Sequence, residues 1–129
     1  MTGIDPGWWC EMGFVRLASD ERPRLRLELR VLSTWPERLR GLLGTGPEAG
    51  PVLISRCGSV HTFGMRYPLD VALVGELGEV LSVRRGLEPR EVFSHSDACC
   101  AIERPAAPGD WLEEGEHLWA SALGVSMVR

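Results

Sequence analysis

At 129 residues, 44% hydrophobic and 25% charged, the chain has the balance of one ordinary globular domain, large enough to bury a core without disulfides. Its net charge of -4 offers no basic face for nucleic acid, and no run approaches the ~20 apolar residues of a membrane span. All 14 basic residues are Arg, which excludes a Lys Schiff base and a Lys-tipped phosphate loop.

Residues 1–7 read as a flexible lead without the basic and apolar regions of a secretory signal. A cytoplasmic location is therefore expected, with Cys10, Cys57, Cys99 and Cys100 as free thiols. The ordered core is expected over about 10–123, in a single domain spanning 1–129. A first strand falls in Trp8 to Ala18, best at Phe14 to Leu17. Leu25, Leu27, Leu29 and Val31 alternate with Arg24, Arg26, Glu28 and Arg30, the pattern of a strand with one wet face. That arginine row is either a solvated face or a docking surface for a secretion assembly.

Thr34-Trp-Pro-Glu37 is a capping-box pattern with Pro36 where a missing N–H costs nothing. Trp35, Leu39, Leu42 and Leu43 share one helical face, and Gly44 suits a left-handed stop. This predicts one short helix at about 35–43. Pro51 to Ser55 is a short strand, and in the next stretch Cys57, Ser59, His61 and Phe63 share one extended face. Met65 to Pro68 is a bend, and Leu69 to Val74 a buried apolar strand. Gly75 to Glu79 turns back into Val80 to Val83 as a hairpin. Arg84 to Arg90 reads as a turn region and Glu91 to Phe93 as a brief strand, followed by a loop at 94–97. Strands at Ala98 to Glu103 and His117 to Leu123 complete the chain, and 124–129 reads as a frayed tail. Many short strands with one helix predict a mainly β fold: a β-sandwich of jelly-roll type or a partly open barrel.

Three constellations could carry chemistry. Cys57, His61, His95 and Cys99 are thiolate and imidazole ligands of the kind zinc takes, although neither Cys57-x-x-x-His61 nor His95-x-x-x-Cys99 is a zinc knuckle. No cofactor is expected; zinc is the metal these four would hold if they converged. Cys57 or Ser59 with His61 and Asp70 would be a nucleophile, base and orienting group, but no nucleophile elbow supports it. Ser59, His61, Arg66, Tyr67 and Asp70 cluster around the bend as a polar groove. Within it Arg66 either clamps an anion or bridges to Asp70, which would also accept backbone amides. The tryptophans Trp8, Trp9, Trp111 and Trp119 are either core cover or an aromatic platform.

Arg38-Leu-Arg-Gly-Leu-Leu-Gly44, His61-Thr-Phe-Gly-Met-Arg-Tyr-Pro-Leu-Asp70 and Ala101-Ile-Glu-Arg-Pro-Ala-Ala107, in that order, resemble the pattern of the family called domain of unknown function 192. The likeness covers roughly 25–120. It departs at Arg104, where the family has an apolar residue, at Ala107, where it has Gly, and at Glu116, where it often has Asp. The resemblance implies a compact, mainly β fold and no assigned activity. Some relatives resemble proteins encoded beside pilus or secretion machinery. The expected function is a non-enzymatic binding or accessory module for a small ligand or protein partner. Its groove would lie between residues 57–70 and the loop after Phe93. The alternative is a metal- or thiol-dependent enzyme using Cys57, His61, His95 and Cys99.

Overall fold

The computed structural model describes residues 13–124. Trp8, Trp9 and Cys10 lie outside the described residues. The elements run β1 (Phe14–Ser19), β2 (Arg26–Leu32), α1 (Trp35–Arg40), β3 (Val52–Ser55), β4 (Ser59–His61), β5 (Leu69–Gly75), β6 (Val80–Leu87), β7 (Val92–Ser94), β8 (Ala98–Pro105) and β9 (Leu118–Gly124). Seven strands form one sheet in the order β6-β5-β8-β3-β2-β1-β9, curled into a half-barrel; β4 and β7 form a separate two-stranded ribbon. The mainly β architecture expected from the strand spacing is what the chain adopts. No helix among the described residues is long and apolar enough to cross a membrane.

One pairing in the sheet is parallel. Arg30, Val31 and Leu32 of β2 run alongside Val52, Leu53 and Ile54 of β3, and a parallel pair needs a crossover connection. That crossover carries α1 and the loop after it, and so places the helix over one face of the sheet. The sheet's two edges also approach each other. Glu79 bridges to His117, and the Leu118 amide donates to the Gly78 carbonyl at 2.8 Å. The curl is thereby held nearly closed at one end.

Two apolar clusters lie on the two faces of this sheet. The enclosed one contains Val15, Leu17, Leu29, Val31, Leu53, Ala72, Val74, Cys100, Ile102, Trp111 and Leu118. The other contains Leu32, Leu42, Ile54, Val60, Leu69, Val71, Leu73 and Ala101, and is covered by the crossover and the ribbon. Residues of β5 alternate between the two clusters, so the whole strand is buried, as its continuous apolar run indicated. In β2 the Arg26, Glu28 and Arg30 side chains face water, as the alternation predicted.

Two boundaries differ from the sequence reading. The helix starts as expected: Thr34 Oγ1 accepts from the Glu37 amide, and the Thr34 amide donates to Glu37 Oε1 at 3.2 Å. It stops at Arg40 rather than 43, because Gly41 takes φ +52° and its amide donates back to the Glu37 carbonyl. Leu42 then turns into the core while Trp35 and Leu39 stay exposed, so the four residues do not form one packed helical face. The segment Arg84–Leu87, expected as a turn, continues β6. Between Val71 and Leu69, β6 carries one extra residue, a bulge at which Gly86 takes φ +67°.

That bulge serves Asp70. The Asp70 carboxylate is 1% exposed and accepts from the Gly86 amide at 3.0 Å, Arg104 Nε at 2.8 Å and the Ala107 amide at 3.2 Å. Arg104 stacks over Trp111, 4.4 Å from the ring centroid. A second buried knot joins the β1–β2 turn to the chain before β9. There Glu116 accepts from Ser19 Oγ, from both arms of Arg22 and from the Glu113 amide. Burial pushes the Glu116 carboxyl up, but these donors outweigh it and hold it below the usual carboxylate range.

Removing one member of a buried ion pair strands the other. Asp70→Ala is therefore expected to cost about 3 kcal/mol or more, read as a lower urea midpoint at unchanged slope. Asp70→Leu combined with Arg104→Met should recover part of that loss. A loss under about 1 kcal/mol for Asp70→Ala would show that the bridge is not holding the bulge.

Candidate functional site

A groove of about 180 Å³ opens on the sheet face that carries α1. One wall is the helix and its exit, from Trp35 to Leu43; the other is the chain from Cys57 to Met65. Its floor includes Ile54 of β3, Leu69 of β5 and Glu103 of β8. The local sequence explains each wall. Gly41 ends the helix early and drops Leu42 into the core, which turns the Arg40-Gly41-Leu42 segment across the sheet. In β4, Val60 is buried while Ser59 and His61 point outward. Gly58 lets β4 leave the sheet closely, since a Cβ there would sit 2.8 Å from the Ala98 carbonyl oxygen. Thr62 pins the far end, donating to the Glu88 carbonyl and accepting from the Glu91 amide at 2.8 Å.

The lips are apolar and exposed: Trp35 is 66%, Leu39 57% and Phe63 53% accessible. These are three of the five exposed large hydrophobic side chains among the described residues, gathered on one opening. The His61 ring leans on Phe63, with centroids 5.8 Å apart. Arg38 donates to the carbonyl of Ser55 at 2.7 Å and to that of Arg56, so its guanidinium is spent on backbone.

Glu103 is the unusual residue. It is 3% exposed on a strand otherwise apolar on this face, and no ion pair among the described residues includes it. Burial pushes its carboxyl up to about 7; the Leu42 amide opposes the shift without cancelling it. Gly41 makes room for it: a Cβ at 41 would come within 3.1 Å of Glu103 Oε1.

The residues expected from the sequence divide in two. Cys57, Ser59 and His61 line the groove, Ser59 and His61 from the outward face of β4 and Cys57 packed against the groove-side cluster beside Val60. Arg66, Tyr67 and Asp70 do not line it. Asp70 sits between Leu69 and Val71, which belong to the groove-side cluster, so its own side chain turns to the opposite face of the sheet. Its cation is Arg104 rather than Arg66, which is exposed on the bend. Tyr67 packs against the groove-side cluster, its hydroxyl 2.6 Å from Thr45 Oγ1, and ties the bend to the loop after the helix. The opposing wall is also not the loop after Phe93. That loop folds back on β4, with the His95 amide donating to the Gly58 carbonyl at 3.0 Å.

Cys57, His61, His95 and Cys99 are not gathered as a ligand set; no three His, Cys, Asp or Glu among the described residues group to hold a metal ion. His95 Nδ1 accepts from the Asp97 amide, and the Cys57 thiol donates to the Ser59 carbonyl. Burial pushes the Cys57 thiol up, opposite to what a thiolate nucleophile needs. Cys99 is drawn down by the adjacent Cys100 thiol but does not line the groove. With Asp70 on the other face, the Cys57 or Ser59, His61 and Asp70 arrangement is not assembled either. The sequence reading missed Glu103. Its signal was an acid inside an apolar strand, Cys99-Cys100-Ala101-Ile102-Glu103, where both faces are covered.

These features define a mainly β half-barrel with one ligand-sized groove under a short helix. The fold is shared with two solved structures. One is a protein of unknown function from Novosphingobium aromaticivorans, 15% identical, with a TM-score of 0.64 over 92% of this chain and 91% of that one. The other, described as a candidate transcription regulator from Sinorhizobium meliloti, is also 15% identical, with a TM-score of 0.65 over 84% of this chain and 92% of its own. Such likeness concerns the fold alone. No family profile and no curated protein matches the chain.

The groove carboxylate has a measurable stability signature. The folded chain holds the Glu103 proton up to about pH 7, while the unfolded chain releases it near 4.5. Folding takes up a proton between those values, so this group's contribution falls as pH rises through the window and is flat above it. Glu103→Gln is expected to match the wild type near pH 4.5 and exceed it by about 3 kcal/mol at pH 8 in urea unfolding. Equal stability of the two proteins at both pH values would mean that the carboxylate is not desolvated.

Proposed function

We propose that the chain is a non-enzymatic binding module of the domain of unknown function 192 type, and that its site is the groove between the helix exit and β4. The observation that carries the reading is the combination of an exposed apolar rim with a buried acid at the floor. Pockets that hold small ligands are mostly apolar with few convergent polar groups, and this groove has that make-up. Its volume suits a ring-sized group: an engineered cavity of roughly 150 Å³ accommodates benzene. The absence of an assembled nucleophile, base and orienting group among the described residues favours binding over catalysis.

Indole is a suitable neutral probe of the groove. Titrated into the protein and followed by amide NMR, it should perturb Gly41 to Leu43 and Ser59 to His61 above other sites. Met65→Trp, which fills the groove from its partly exposed rim, should remove those shifts while leaving the rest of the spectrum folded. Perturbations scattered over the surface, or shifts that survive Met65→Trp, would sink this reading.

A further inference from the structure

We infer that the groove selects a small organic cation: a protonated nitrogen on a ring-sized apolar body, with the nitrogen seated against Glu103. This deepens the binding reading above and rests on it.

Glu103 is set apart by what it lacks. A buried carboxylate is ordinarily met by a cation or by several donors, because an isolated buried charge is expensive. This chain follows that rule twice. Asp70 has Arg104 and two amides; Glu116 has Arg22, Ser19 and the Glu113 amide. Glu103 breaks the rule: it is as buried as Glu116, lines the groove, and among the described residues has no cation and only the Leu42 amide toward it. Arginines were at hand. Arg38 lies on the groove wall, but its guanidinium is turned to the carbonyls of Ser55 and Arg56. Arg40 is exposed on the same wall. The acid at the floor is thus left for something that enters from outside.

The charged and titratable groups facing this floor are few. They are Arg38 and Arg40 from the helix, Cys57 before β4, and His61 on β4. Cys57 holds its proton. A cation with an apolar body meets a floor whose one charged group is Glu103, beside Leu69, and walls that include Leu42 and Val60. Trp35 and Phe63 offer aromatic faces at the mouth, which attract a cation on entry. Because Glu103 is desolvated by folding itself, an entering ammonium bears mainly its own dehydration, which is the advantage of a preorganised site. A neutral ligand of the same shape gains the apolar contacts and nothing from the acid. An anion is repelled by it.

Benzylammonium, benzyl alcohol and benzoate are near-isosteric probes of the three charge states, and blocked lysine carries the same cation on a polypeptide side chain. Affinities come from amide NMR titrations at pH 8 on wild type and Glu103→Gln. The expected result is that benzylammonium binds at least tenfold tighter than benzyl alcohol, with shifts at Gly41 and Leu42, and that Glu103→Gln erases the difference. Affinity for benzylammonium should also rise between pH 5.5 and 8 in the wild type and stay flatter in Glu103→Gln, which keeps every other side chain of the groove. Blocked lysine binding more tightly than benzylammonium, with the same dependence on Glu103, upholds the cation chemistry and assigns its source to a polypeptide. Benzyl alcohol binding as tightly as benzylammonium, or undiminished benzylammonium binding in Glu103→Gln, overturns the inference and leaves the groove reading standing. No groove shifts with any probe overturns both.

Discussion

The bond from Arg104 to Asp70 is the constraint on which the other parts of this structure lean. It joins the neighbouring strands β5 and β8 at the register where Asp70 lies opposite Arg104. The same carboxylate also collects the amide of Gly86 from the β6 bulge and that of Ala107 from the loop after β8. Three chain segments converge on one buried charge, and each arrives as a donor. Satisfying a buried carboxylate this fully makes alternative registers of β6 and β8 costly, since any slip would leave the charge unmatched. Arg104 and Ala107 both serve Asp70.

One residue along the same pairing, on the other face of the sheet, the arrangement is reversed. Val71 lies opposite Glu103, and Glu103 has no such retinue. The contrast cannot be put down to poor burial, because both acids are almost fully enclosed. It follows from which face each occupies. Asp70 turns toward the enclosed cluster, where Trp111 and the loop after β8 close around it. Glu103 turns toward the crossover, where the parallel β2–β3 connection has to pass. That connection is short of bulk at Gly41, and the gap it leaves is the groove. The site is therefore a by-product of the topology: a parallel pair inside an antiparallel sheet forces a crossover, and the crossover forms one wall.

Much of this was written in the local sequence. The period-2 run of β2, the apolar run of β5 and the capping box at Thr34 each declare themselves within a few residues, because the interactions that fix them are local or periodic. The outward face of Ser59 and His61 in β4 was legible for the same reason. The end of the helix was not, because Gly41 and Gly44 are both able to take a left-handed stop, with φ of +52° and +84°, and tertiary burial of Leu42 decides between them. The partners of Asp70 were not legible either. Arg66, four residues away, is the obvious candidate in sequence, yet the bend points it outward and the true partner lies 34 residues on. The opposing wall of the groove was misplaced because nothing local indicates that residues 38–44 and 57–65 face each other across 20 positions.

The two stretches 38–44 and 61–70 contribute to opposite walls of the groove and to its floor through Leu69. Gly41 is needed for the helix stop and for clearance over Glu103; Leu42 supplies the core anchor and the amide. Thr62 is needed to fasten the ribbon through the carbonyls and amide around Glu88 and Glu91, and Gly64, at φ +87°, lets the chain turn past Leu43. Asp70 locks the strands beneath. Every one of these residues acts on the shape of the groove or on the rigidity of the sheet under it, so the one desolvated acid at the floor, Glu103, sits on a heavily specified framework.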